Sequence, residues 1–339
     1  MDEVLNWEPD AEADPTTYAY TFGGMAPVAS VRPGTVISTW TMDCFGGRVR
    51  SSTDMASQVC DPRLLNPQSG PFYVEGARPG DTLAVHFASI EPREAWGVSS
   101  TVPFFGALTA TPTTAMLHGS LLERTWIYEI DRADRVVRYL AADTPFTAAL
   151  PLDPMHGTVG VAPALGEVRS SLTPGDWGGN MDTPEMRAGV TCYLGVNVEG
   201  ALMSLGDGHA RQGEGETCGV AVECAMDTTF ILDLIPGAAT PWPRLESDEY
   251  LMTTGSARPL EDAFRIAHQQ MVHWIAELTG MSAIDAYQFV SQTALSPIAN
   301  VVDSNYTVVC KVPKSLLLGV SAMGGVHGRL RRAASAWAG

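Results

Sequence analysis

The chain has 339 residues, 45% hydrophobic and 17% charged, long enough to bury a sizeable core as one large domain or two ordinary ones. Asp and Glu number 38 against 21 Lys and Arg, a net charge of −17. So acidic a chain repels phosphate backbones and anionic lipid, which makes nucleic acid and membranes poor partners; a neutral or cationic small molecule suits it better as a substrate.

The opening MDEVLNWEPDAEADP lacks the basic start and apolar core of a secretory signal. No apolar run approaches the roughly 20 residues of a membrane span, so the cytoplasm is the expected location. The six cysteines (Cys44, Cys60, Cys192, Cys218, Cys224, Cys310) form no CxxC pair and are expected as free thiols.

With 33 Gly and 23 Pro, the chain is too interrupted for a helical bundle, and most of it reads as short strands between turns. In TWTMDCFGGRVRS (39–51), Asp43 interrupts an apolar strand just before Gly46 and Gly47. A carboxylate there is costly to bury without a partner or a metal; an edge-facing Asp is the other reading. Cys44 beside it is either a nucleophile or a buried free thiol. In 70–92 the turn Arg78-Pro79-Gly80-Asp81 leads into a strand where Leu83, Val85 and Phe87 alternate with Thr82, Ala84 and His86. His86 reads as a packed core residue. His156, after a proline turn, either lines a pocket or packs internally.

GDWGGNMDTPEM (175–186) sets Asn180 and Asp182 behind a Gly-Gly pair, which suits a site or a solvated loop. GDGHARQGEGETCG (206–219) reads as a tight loop. It spaces Asp207 and His209 two apart, as on one face of an extended segment, and Glu214 and Glu216 likewise. Such a mixture of carboxylate and imidazole is a ligand set for a divalent ion; a hairpin with a solvated tip fits the same letters. Glu223, between Ala221 and Ala225, has room beside it. Strands at this spacing predict a β-sandwich or barrel. No GxGxxG, GxxxxGK[ST], GxSxG or HExxH pattern occurs.

Near residue 258 the pattern changes. Phe264, Ala267, Met271, Ile275 and Leu278 share one helical face up to a stop at Gly280, and a second helix follows with Ser282 as its cap. His268 and His273, on different faces of the first helix, read as structural. Two strands then flank a turn at Asp303-Ser304-Asn305. The expected architecture is mainly β, with a sandwich- or barrel-like body over 1–256 and a C-terminal α+β, helix-helix-strand part over 257–339 that completes the same fold.

Six stretches in order (MDCFGG, FYVEGARPGDTLAVHF, GTVGVAPA, GGNMDT, YLGVNVEGALMSLGDGHARQGEGETCGVAVE and VVDSN…VPKSLL) make the chain resemble the acetamidase/formamidase family from about 30 to 320, most specifically over 178–223. The resemblance implies a cytoplasmic, homo-oligomeric, metal-dependent hydrolase that cleaves short amides to ammonia and a carboxylate. It also implies that Asp43, Asp182, Asp207, His209 and Glu223 surround the metal and the substrate. Zinc is the expected ion, with Asp43, Asp182, Asp207 and His209 as its ligands and Glu223 as the proton carrier. Asn180, His156 and Trp177 are expected to touch substrate. Where the family commonly has Gly-Pro-His, this chain has Gly175-Asp176-Trp177, and an indole neither binds metal nor acts as a base. Trp177 and the long segment 93–127 therefore keep a second reading open, a larger amide or amidine with the indole face covering it. A non-catalytic metal- or ligand-binding β protein is a third.

Overall fold

The computed structural model describes residues 3–10, 15–111, 114 and 116–338. Its strands form two large sheets and a small two-stranded ribbon, as the turn spacing predicts. The nine-stranded sheet runs in spatial order Val4–Asn6, Thr35–Thr41, Met226–Ile235, Thr82–Pro92, Thr191–Gly195, Arg244–Glu246, Tyr250–Ala257, Tyr306–Pro313, Ile298–Asn300. The ten-stranded sheet is built around Met203–Arg211. That strand pairs with Met155–Gly160 along one edge; on the other it pairs first with Gln68–Val74 and then with Val222–Glu223.

The two sheets stack and share one apolar core. Phe72 of the second sheet meets Phe230 of the first edge-on, ring centroids 6.0 Å apart, and Val85, Phe87, Leu194, Val159 and Leu205 belong to the same cluster. Leu83, Val85 and Phe87 face this core, as their alternation predicts. Ala84 and His86 on the opposite face are buried as well. A helix absent from the sequence reading, Val326–Ala338, covers them by laying Val326, Leu330 and Ala334 on Val36, Ala84, Tyr193 and Ile231. A polar thread runs under it: His86 Nδ1 bonds Thr191 Oγ1 at 2.9 Å, Thr191 bonds His327 Nδ1 at 2.9 Å, and His327 Nε2 reaches Asp248 at 3.2 Å.

Both expected C-terminal helices form, as Leu260–Thr279 and Ala283–Thr293. Gly280 ends the first at φ 73°, and the Ser282 hydroxyl accepts from the Asp285 amide at 3.1 Å. Ala267, Met271 and Ile275 are buried as expected, but Phe264 is exposed and Leu278 only half-buried. The stripe is rotated because the helix backbone at Ala263 and Ala267 lies directly against Gly255, where a side chain would collide. Small residues must face that strand, and Phe264 is displaced to the rim, stacked on His268. His268 also bonds Phe264 O and Ser296 Oγ, so it ties the helix to the next segment, the structural role expected of it. Tyr306–Pro313 and Ile298–Asn300 then add to the nine-stranded sheet, making this part continuous with the body. All six cysteines are unpaired. Among the described residues no helix is long and apolar enough to cross a membrane.

Candidate active site

GDGH, expected in a loop, lies inside Met203–Arg211, the buried centre of the second sheet. Register decides what each side chain meets. His209 sits directly across from Glu223, and Gly208 across from His156. Successive residues of a strand point to opposite faces. His209 and Glu223 therefore share the face that looks away from the inter-sheet core, while His156 points inward.

On that outward face four carboxylates and one imidazole converge, with the Cys44 thiol beside them. His209 Nε2 is 3.4 Å from Asp207 Oδ2 and 3.3 Å from Glu223 Oε2. Ligand atoms of Asp182, His209 and Glu216 lie within 4.8 Å of one another, as do those of Cys44, Asp207 and Glu223. Asp182, Asp207 and Glu216 all hold left-handed backbone, φ 45°, 59° and 45°, an uncommon conformation that turns their carboxylates toward this point. At the centre lies Gly157. A Cβ there would strike Asp207 Oδ2 and Asp182 Oδ1 and come within 3.0 Å of His209 Cε1.

Neighbouring groups fix the orientation of these side chains. Gln212 Nε2 donates to the carbonyls of Asp182 and Ala299, at 2.5 and 3.1 Å, so its Oε1 must accept from His209 Nδ1–H at 2.9 Å. The Nε2 lone pair is thereby aimed at the carboxylates. Asp182 Oδ2 accepts from Asn180 at 2.8 Å and Asn300 at 3.2 Å, and Glu223 Oε1 accepts from the Ala221 amide at 2.9 Å. The second atom of each group, Asp182 Oδ1, His209 Nε2 and Glu223 Oε2, is buried and makes no hydrogen bond of good geometry. Buried polar atoms are rarely left unmatched. Unpaired acceptors converging around a space that only glycine leaves open fit a bound divalent cation in both donor chemistry and room.

The electrostatics agree. Burial, reinforced by Glu216 and Asp303, holds Asp182 well above the usual carboxylate range. Burial raises Glu216 likewise and lifts Glu223 to about 7, although His209 opposes both. Burial also pushes Asp207 up, but the His209 imidazole outweighs it and brings the carboxyl below its ordinary value. Burial favours a neutral His209, yet Glu223 and Asp207 prevail and raise it well above its usual range. The cluster draws positive charge to Nε2, whether proton or metal. Above it opens a cavity of about 640 Å³, with Asn180, Asp207, Glu216, Glu223 and Asp303 among its walls.

A sequence model of the Acetamidase/Formamidase family matches residues 22–164 and 99–317. The chain belongs to this family. It is 27% identical to an acetamidase of Mycolicibacterium smegmatis over 62% of its own length, and 29% identical to a formamidase of Methylophilus methylotrophus over 58%. These alignments span only 63% and 59% of the relatives' lengths. The crystal structure of an acetamidase from Yersinia enterocolitica superposes with a TM-score of 0.87 at 38% identity, covering 94% of each chain.

Of the residues singled out in this family member's sequence, Asp182, Asp207, His209 and Glu223 come together. Asp43 stays outside the converging groups: its Oδ1 accepts from the amides of Phe45 and Gly47, at 2.8 and 3.1 Å, and fastens the Gly46-Gly47 turn. Asn180 lines the cavity but spends its amide on Asp182, Asp303, Asn66 and Thr158, so it positions carboxylates and has no group left for a substrate. His156 is no pocket residue. Its Nδ1 bonds Gly206 O at 3.0 Å and its Nε2 bonds Thr228 of the facing sheet at 2.7 Å; burial lowers it to about 4, a neutral core imidazole. Trp177 is not on the cavity wall either. It packs in the inter-sheet core, 7% exposed, with the Arg169 guanidinium 5.5 Å from its ring centroid, which leaves no indole face for a substrate. Burial, with Glu223 and Asp207 adding to it, holds the Cys44 thiol well above its normal range, the opposite of an activated nucleophile. Glu214 is exposed at the rim. Glu216, grouped with Glu214 in the sequence as a possible ligand, joins the cluster although the expected ligand set omits it, and Asp303, expected only as part of a turn, lines the cavity. Asp303 follows Val301 and Val302 as Asp43 follows an apolar strand, so the same signal marked it.

Proposed function

We propose that this chain is a metal-dependent amidohydrolase that cleaves the C–N bond of a linear carboxamide to a carboxylate and ammonia or an amine. The observation that carries the reading is the set of buried acceptors without a hydrogen bond, Asp182 Oδ1 at the space beside Gly157, His209 Nε2 next to it, and Glu223 Oε2 3.3 Å from His209 Nε2. The names of its relatives, acetamidase and formamidase, support the amide as the bond attacked. Asp182, Asp207, His209 and Glu216 would hold the ion, proposed as zinc. A divalent cation held there would polarise the amide carbonyl and acidify water, offsetting the weak electrophilicity of an amide.

The chain's own groups supply the rest. Glu223 lines the cavity with Oε1 anchored and Oε2 free, so its free oxygen takes the proton of the attacking water as the C–O bond forms. It returns that proton to the amide nitrogen as the C–N bond breaks and the amine departs. Gln212 keeps His209 in the one tautomer that presents Nε2. Asn180 and Asn300 hold Asp182 in place against the repulsion of its neighbours. Cytoplasmic location and a homo-oligomer belong to this proposal too; exposed Ile284 and Tyr287 on the second C-terminal helix support an assembly that covers them.

Elemental analysis of purified protein, followed by ammonia release from amides with and without a chelator, tests the proposal. About one divalent ion per chain and chelator-sensitive release are expected. A metal-free protein whose activity ignores chelators would refute metal dependence.

A further inference from the structure

The cavity is larger than formamide or acetamide needs. Its volume, about 640 Å³, is that of roughly twenty waters at their liquid share of about 30 Å³ each. Pockets of this size enclose drug-sized ligands. Its polarity is graded. The deep groups Asp207, Glu223 and Asp303 are each at most 5% exposed, whereas Leu65, Val102, Phe105 and Leu172 line it half-buried. Among the described residues every charged group on its wall is acidic, with no Lys or Arg to hold a substrate carboxylate or phosphate.

The apolar wall is anchored to the site. Its Val102 and Phe105 half comes from the segment after Trp96–Thr101, where the Phe105 amide bonds Val102 O at 3.1 Å and the Ala107 amide bonds Thr217 O at 2.9 Å, next to Glu216. The Phe105 ring lies flush on Gly219, where a Cβ would approach within 2.5 Å of it. Residues 112, 113 and 115 of the segment 93–127 lie outside the described residues.

We propose that the preferred substrate is a neutral carboxamide bearing an extended apolar group, a medium alkyl chain or an aromatic ring, which fills the outer cavity between Phe105 and Leu172. This rests on the amidohydrolase reading above. The acidic floor takes the amide, and the apolar wall takes the remainder of the molecule, expelling water that a short amide would leave in place. Each methylene buried is worth about fourfold in kcat/KM, from a transfer free energy of about 0.8 kcal/mol.

The test measures kcat/KM for acetamide, butyramide, hexanamide and phenylacetamide, with N-hexylacetamide as an arm extended on the nitrogen side. A rise on the order of 10²-fold from acetamide to the longest amide in either arm is expected. Phe105→Ala and Leu172→Ser should each lower the hexanamide-to-acetamide ratio about tenfold, a comparison made within one variant and so independent of folding yield. Acetamide turnover with no gain in either arm would overturn the inference and leave the hydrolase reading intact. If no amide is turned over, the hydrolase reading falls; calorimetric binding of phenylacetamide, lost in Phe105→Ala, then decides the cavity's preference by itself, and its absence in the unmodified protein overturns that too.

Discussion

Gly157→Ala adds one methyl group at the point where the proposed ligands meet. The Cβ would collide with one oxygen each of Asp207 and Asp182 and sit 3.0 Å from His209 Cε1. Gly157 lies within a strand and is not among the positive-φ glycines, so alanine suits its backbone. Losing glycine's freedom in the unfolded chain returns about 0.4–1 kcal/mol, against about 1–3 kcal/mol for overpacking. Net destabilisation of about 2.6 kcal/mol or less is expected, and the protein should fold. The site has no such margin, because the methyl occupies the space in which the unpaired oxygens converge. Loss of a mere supporting contact to a metal ligand costs about 10–100-fold in affinity; direct exclusion should cost at least the upper end. Circular dichroism would report the fold, metal content after dialysis against a weak chelator the affinity, and ammonia release the activity. A folded Gly157→Ala protein with full metal and full turnover would show that the convergence at Gly157 is not the working centre.

Glu223→Gln should lower kcat by about 10²–10⁴-fold, the range for a lost acid–base group, with metal content measured alongside; undiminished kcat removes Glu223 from proton transfer. Trp177→His should leave the amide profile unchanged and lower the melting temperature, because the indole packs in the core and not on the cavity wall; a changed profile with unchanged stability would contradict the placement. Stability should also fall in mild acid through His86, which burial, and next to it His327, lowers from 6.5 to about 4. The folded state favours the neutral ring, so this contribution is complete above pH 6.5 and is lost as pH falls toward 4, a gap worth about 3 kcal/mol. His86→Asn should flatten the pH dependence of denaturant midpoints between those limits, and an unchanged slope would rule His86 out as its source.

Much of this arrangement can be read from the chain. Asp182, Asp207, His209 and Glu223 stood out because a charged group in an apolar, glycine-flanked context needs a reason to be there, and that context survives without coordinates. What fails is anything that depends on register. His156 and His209 are the same residue type on neighbouring strands, yet the pairing of His156 with Gly208 turns one inward and leaves the other at the site. Glu214 and Glu216 share a spacing, and only the left-handed backbone of Glu216 brings it in. Trp177 is expected in the pocket because it stands where the resembled family commonly has a histidine; the glycines around it instead make room for the indole within the core. The last helix was readable, since Val326, Leu330 and Ala334 fall four apart on one face.

Charge balance connects the fold to its chemistry. Asp182, Asp207, Glu216, Glu223 and Asp303 are each at most 7% exposed, against the one imidazole of His209, and among the described residues no Lys or Arg lines the cavity. Elsewhere buried acids find partners: Glu185 meets Lys311, Glu246 meets Lys314 at 2.7 Å, and Asp43 accepts from two backbone amides. The shortage of positive charge is therefore confined to the cavity floor, where burying ionised groups costs most. In the proposed reading a cation at the convergence point would answer it, and an amide carbonyl brought beside that cation would enter the same field. The apolar wall adds to this by keeping water away, because lowering the local dielectric strengthens each of these interactions. On that reading the acidic floor, by holding the cation, and the apolar wall, by excluding water, would act on one variable, the electrostatic pull at the reacting carbon.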